Sequence, residues 1–292
     1  MLCVDAHHHL WDYSAEEYGW IGPEMAVLQR DFSPADLRAE MTAASVEACI
    51  AVQARETREE TRWLLRLAHE NAFIAGVVGW APIAGAEFAQ ELEALAGDAK
   101  LKGLRHILQA QPDEYMLSDV FERGMKALEG SGLVYDILVY ERQLKAAIAL
   151  VDRHPKQVFV IDHLAKPKIA AHELEPWRTL MREMARREHV HCKLSGMTTE
   201  ADWKKWTEND LHPYCEVILE CFGAERLLAG SDWPVCTLAV SYRRWWQVVR
   251  EMVKDLSDAE REKILGGNAV CVYGLNEEMR AGKCVPAGTP ED

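Results

Sequence analysis

Leu2-Cys3-Val4-Asp5-Ala6-His7-His8-His9 opens the chain as a short apolar run that ends in three histidines. The run reads as a β-strand. Side chains on a strand alternate between faces, which sends Asp5, His7 and His9 one way and Ala6 and His8 the other. Two imidazoles two residues apart at a strand's end can grip one divalent ion. A chance cluster or the remnant of a purification tag is the competing reading. A tag would be longer, and would not be flanked by Val4, Leu10 and Trp11.

Working outward, seven further apolar or β-branched runs follow, at 47–53, 74–80, 101–108, 133–139, 158–163, 190–195 and 227–232. Amphipathic stretches lie between most of them, at 59–70, 87–95, 120–128, 144–153, 177–188 and 214–221. In the first, Trp63, Leu64 and Leu67 share a face. Eight strands alternating with helices predict an α/β fold, a single-domain (β/α)8 TIM barrel over residues 1–275. A doubly wound sheet is the rival, but no G-x-G-x-x-G follows any early strand. The aromatic stretch 11–36 reads as a lid or wall after the first strand, and Ser33-Pro34 as a helix start. Gly266-Gly267-Asn268 reads as a turn and helix cap, and residues 276–292 as a polar C-terminal tail.

Composition narrows the class. The 292 residues suffice for one large core, and 49% hydrophobic with 27% charged residues is ordinary for a globular enzyme. The net charge of -14 and the absence of a basic cluster argue against nucleic acid, whose phosphates require grouped Lys and Arg. No apolar run approaches the roughly 20 residues that cross a bilayer, and no secretory signal is visible. The eight cysteines are scattered, without a C-x-x-C pair, and read as reduced core thiols. A cytoplasmic location is expected, a membrane partner is not, and a homo-oligomer is compatible with the sequence.

A barrel carries its reactive groups at the C-terminal ends of its strands. Those ends offer His7 and His9, Arg105 and His106, Asp162 and His163, Lys193 and Ser195, and Asp232 followed by Trp233. Alternation sends Asp162 toward the helices if His163 faces inward, and places Asp5 on the His7/His9 face but deeper. Lys193 and Ser195 share a face and could both line a pocket. Of the adjacent Arg105 and His106, His106 is the first choice for substrate contact. Trp80 and Trp233 could stack on a sugar ring or simply pack.

Taken together the motifs resemble the amidohydrolase superfamily, and more closely its lactonase branch, the amidohydrolase 2 family. They are DAHHHLWD at 5–12, YGWIG at 18–22, LQRDFSP at 28–34, GLRHILQ at 103–109, VIDHLAKP at 160–167, CKLSGMTTEADW at 192–203, GSDWPV at 230–235 and GGNAVCVYGL at 266–275. The resemblance implies hydrolysis of a sugar-acid lactone, such as L-fucono-1,5-lactone or an L-rhamnono-lactone, by activated water. It implies Asp232 as general base, with His163 as the second catalytic residue. It also implies one divalent metal, zinc first, held among His7, His9, His163 and Asp232, or no metal. Binuclear relatives carry a histidine on strand five; residues 133–139 here have none, which limits the site to one ion. Substrate contacts are expected from Arg105, His106, Lys193, Ser195, Trp80 and Trp233; without a metal, Arg105, His106 and Lys193 would stabilise the oxyanion. Few arginines reach the rim (Arg105, with Arg55 or Arg142), which favours a neutral polyhydroxylated lactone over a dicarboxylate. The alternatives are a metal-dependent decarboxylase on the same barrel and a non-catalytic sugar-acid-binding barrel.

Overall fold

The computed structural model describes residues 2–275. Its eight strands are β1 Val4–His8, β2 Ala48–Val52, β3 Ile74–Gly79, β4 Leu101–His106, β5 Val134–Ile137, β6 Phe159–Ile161, β7 Val190–Leu194 and β8 Leu227–Ala229. They form one parallel sheet in sequence order. The sheet closes where β8 meets β1: Asp232 N donates to His7 O at 2.8 Å and His9 N to Trp233 O at 2.6 Å. This is the (β/α)8 barrel expected from the strand count. The tail expected at 276–292 lies outside the described residues. Among the described residues no helix is long and apolar enough to cross a membrane.

Alternation along the strands builds two apolar layers. Val4, Ala6, Ala48, Ile50, Val52, Val134, Val160 and Leu228 fill the barrel interior. Cys49, Ala51, Tyr135, Ile137, Phe159, Ile161, Cys192 and Leu194 face the surrounding helices. Those helices are α1 Pro34–Ala44, α2 Arg58–Glu70, α3 Phe88–Ala96, α4 Asp119–Leu128, α5 Leu144–Arg153, α6 Trp177–Met184, α7 Glu208–Phe222 and α8 Tyr242–Met252. Helix α1 starts as expected: Ser33 and Asp36 cap each other's backbone N–H groups and Pro34 occupies the first turn. Helix α7 starts earlier than expected, at a Thr207/Asp210 capping box, and runs through Pro213 at the loss of one backbone hydrogen bond. Helix α8, which buries Trp245, Trp246, Val248 and Val249, was not among the segments read from the sequence.

The 266–268 segment is helical rather than a turn. A π-helical stretch, Lys263–Gly267, runs directly into α10 Asn268–Val272, after the short α9 Asp258–Glu262. Gly266 is needed for close approach, since a β-carbon there would stand 2.5 Å from Leu2 O. Asn268 ties the helix to the barrel by donating to Ala224 O and Leu227 O, both at 2.7 Å. Cys3, Cys49, Cys192, Cys215, Cys221 and Cys236 are free thiols, as expected. Cys271 is disulfide-bonded, which corrects that expectation at one position.

Candidate active site

Three strand ends meet at the mouth. His7 Nε2 and His9 Nε2 stand 3.2 Å apart. Asp232 Oδ1 is 3.4 Å from His9 Nε2, 3.8 Å from His7 Nε2 and 3.7 Å from His163 Nε2. Each imidazole is oriented by its other nitrogen. His9 Nδ1 donates to Val52 O at 2.8 Å, His7 Nδ1 to Asp162 Oδ1 at 3.2 Å, and His163 Nδ1 lies 2.9 Å from Ser195 Oγ. All three Nε2 atoms thereby converge on the Asp232 carboxylate. Such a set repels itself unless a proton or a cation lies among its members. Nitrogen and carboxylate donors form a zinc-type set: ligand atoms of His7, His9 and Asp232 all lie within 4.8 Å of one another and fit a single divalent ion, with His163 Nε2 beside Asp232 as a further donor.

The charge states suit that role. Burial holds the His163 imidazole down to about 4, against the pull of Asp232 and Asp162. Burial likewise keeps His7 neutral, well below its usual range, despite Asp162 beside it. Burial alone would raise the Asp232 carboxyl, but His163 and His9 outweigh it and hold it below its usual value. At neutral pH His7 and His163 are therefore uncharged beside an ionised Asp232.

Local backbone geometry explains how β6 delivers its histidine. Strand β6 ends at Ile161, and His163, Leu164, Ala165 and Lys166 then adopt φ of 52°, 55°, 56° and 50°. Four consecutive non-glycine residues thus make a left-handed turn, at a cost of about 1–2 kcal/mol per residue. Lys166 N donates to His163 O at 2.7 Å, and Trp177 Nε1 holds Leu164 O at 2.6 Å. Gly196 (φ 64°) makes room for the His163 ring.

Beneath the mouth lies a fully buried charge array. Asp162 receives Arg105 Nη1 at 2.9 Å and Lys193 Nζ at 2.9 Å, and Lys193 also pairs with Asp136. Tyr273 Oη donates to Asp136 Oδ1 at 2.8 Å, and Arg105 is further held by Gln53 O. Two cations face two carboxylates. Although burial would raise the Asp162 carboxyl, Lys193, His7 and Arg105 keep it well below the usual range. Lys193 Nζ and Arg105 Nη1 lie 3.3 and 3.4 Å from the two His7 ring nitrogens, so the array also sets that imidazole's position.

The sequence profile of the amidohydrolase family matches residues 4–275. The chain belongs to the amidohydrolase family. It is 42% identical over 292 residues to an L-fucono-1,5-lactonase of Burkholderia multivorans, covering 96% of this chain and 98% of that one. To an L-fucono-1,5-lactonase of Burkholderia ambifaria it is 36% identical over 281 residues, covering 94% and 96%. A crystal structure of an amidohydrolase from Burkholderia multivorans with bound zinc superposes with a TM-score of 0.90 at 41% identity, covering 94% of this chain and all of that one.

Of the residues singled out in the sequence, this amidohydrolase brings His7, His9, His163 and Asp232 together. Arg105 is buried just below them. Lys193 and Ser195 are wholly buried and touch His7 and His163, not open space. His106 Nδ1 accepts from Trp80 Nε1 at 3.1 Å and lies 3.0 Å from Glu56 Oε1. Trp233 is buried with its ring edge-on to Phe32, which accounts for it by packing. The 11–36 connection forms a wall, with Trp11, Tyr18 and Phe32 buried and Trp11 stacked 6.4 Å from His9.

Two orientations need correction. Asp162 faces the interior, not the helices. It keeps register with Val160, and His163 also turns inward because the left-handed turn abolishes alternation there. Asp5 does not share the His7/His9 face: pairing with β2 is irregular between Asp5 and His8, and Asp5 accepts instead from Ser231 Oγ at 2.6 Å. Asp136, Lys166, Gly196 and Tyr273 were missed. The Val134/Asp136 and Val160/Asp162 pairs, each inward by the same parity, were the available signal for the buried carboxylates.

Proposed function

We propose that this protein hydrolyses the lactone of a polyhydroxylated sugar acid, with L-fucono-1,5-lactone as the first substrate to test. The observation that carries the reading is the convergence of His7, His9 and His163 on an ionised Asp232 in a chain 42% and 36% identical to L-fucono-1,5-lactonases. The likeness to lactonases at that identity favours hydrolysis over decarboxylation, and the reactive set at the mouth favours an enzyme over a binding barrel.

His7, His9, His163 and Asp232 would hold one zinc ion. When bound, such an ion polarises a carbonyl and lowers the pKa of water from about 15.7 to about 7. Asp232, its Oδ1 turned to the histidines, accepts a proton from the attacking water through its second oxygen. Water oxygen bonds to the lactone carbonyl carbon. The acyl–ring-oxygen bond breaks, and the ring oxygen leaves with the proton returned by Asp232. The new carboxylic acid ionises at neutral pH and releases one proton. His163, uncharged and fixed by Ser195, lines the carbonyl side. Arg105 supplies positive charge below, and His106 with Trp80 offers contacts to the sugar.

The net charge of -14 supports a small-molecule rather than a nucleic-acid partner, and a cytoplasmic location is part of the same reading. The test is a stereochemical panel of 1,4- and 1,5-aldonolactones followed with a pH indicator, with zinc content measured on the same sample. Hydrolysis confined to L-fucono-like configurations supports the reading. No turnover across the panel overturns it.

A further inference from the structure

The left-handed turn after β6 delivers a second side chain besides His163. Lys166 closes the turn, and its side chain is only 17% exposed. Its Nζ lies 3.3 Å from Glu200 Oε1 and 5.5 Å from the centre of the Tyr140 ring. Tyr140, Lys166 and Glu200 follow β5, β6 and β7, so they form one continuous arc of rim ending at Asp232 after β8.

We propose that Lys166 is a substrate-contacting cation that receives the carboxylate as the sugar-acid ring opens, and that the left-handed turn serves to present it beside His163. An ammonium has three N–H donors, and the single Glu200 carboxylate beside it leaves capacity for a second anion. The Tyr140 face steadies the charge without neutralising it. A turn of four L-residues in the left-handed region is disfavoured at each step. A right-handed continuation from Asp162 would carry Lys166 away from His163 on a different path. The turn that brings His163 inward therefore also sets where Lys166 stands on the rim.

This inference rests on the lactonase reading, and equilibrium binding separates the two. Sodium L-fuconate and the neutral alditol L-fucitol are titrated calorimetrically into zinc-loaded wild type, Lys166→Met and Lys166→Arg. Loss of one charge-assisted hydrogen bond should weaken fuconate about tenfold in Lys166→Met. Fucitol affinity should stay unchanged, and Lys166→Arg should retain fuconate binding. Glu200→Gln, which removes the competing carboxylate, should tighten fuconate and gives an independent measurement if Lys166→Met does not fold. Fuconate weakened about threefold or more in Lys166→Met, or tightened in Glu200→Gln, supports the assignment; smaller changes in both overturn it. Fuconate binding that depends on Lys166 in a protein that hydrolyses no lactone would count against the lactonase reading alone.

Discussion

A β-carbon on Gly196 would stand 2.6 Å from the His163 ring, so the imidazole rests directly on the glycine backbone. Gly196 also has a φ of 64°, which L-residues rarely adopt. Gly196→Ala should therefore push His163 out of line with Asp232 and lower kcat about 10²-fold, the order expected for a displacement near 1 Å. Steady-state kinetics alongside a thermal melt will check this; wild-type turnover in a folded Gly196→Ala protein contradicts it.

His9 Nδ1 is fixed on Val52 O, which aims its other nitrogen at His7 and Asp232. Dialysis against dipicolinate should abolish lactone turnover, and one equivalent of zinc per chain should restore it. His9→Gln should weaken zinc retention about 10- to 100-fold or more in a competition with a chromophoric chelator. A stoichiometry of two ions, or full activity of the metal-depleted protein, runs against a single-ion site.

Lys193 is wholly buried between Asp136 and Asp162. Lys193→Met leaves two carboxylates facing each other without their shared cation. Breaking one member out of such a buried network should cost about 3–5 kcal/mol of stability. Urea unfolding measures it directly. A loss below about 1 kcal/mol would mean that water reaches the array in the folded state.

His191, on β7, gives stability a pH dependence. Burial, then Arg226 and His189, lower its imidazole from 6.5 to about 4 in the folded chain. The unfolded chain thus takes up a proton that the folded chain refuses. This contribution is complete above about pH 6.5 and is lost as pH falls toward 4. His191→Gln should flatten the fall in unfolding free energy across that window, and parallel profiles for the two proteins would refute the assignment.

Strand number and order are legible because they follow from simple periodicity; strand ends offer a longer list of candidates, and the resemblance of the motifs to the amidohydrolases singles out His7, His9, His163 and Asp232. What escaped the sequence lies where periodicity breaks. Alternation sends Asp162 outward only if His163 is a strand residue, whereas the chain has already left β6 and turned left-handed. Asp5 was placed with His7 because a bulge between Asp5 and His8 leaves no mark in the residue types. Lys193 looks like a pocket residue in the sequence because it shares a face with Ser195. Its burial depends on Asp136 and Asp162, which come from strands two and one before it in the barrel. Tyr273 could not be linked to the site at all, since it comes from beyond the final strand and reaches Asp136 137 residues away.

The account stands most directly on Asp232. Zinc-loaded Asp232→Asn and wild type should be compared at saturating L-fucono-1,5-lactone, with the spontaneous rate subtracted and identical melts required. The account predicts a fall in kcat of about 10²–10⁴-fold, the range for loss of a general base. Turnover within about threefold of wild type would contradict it.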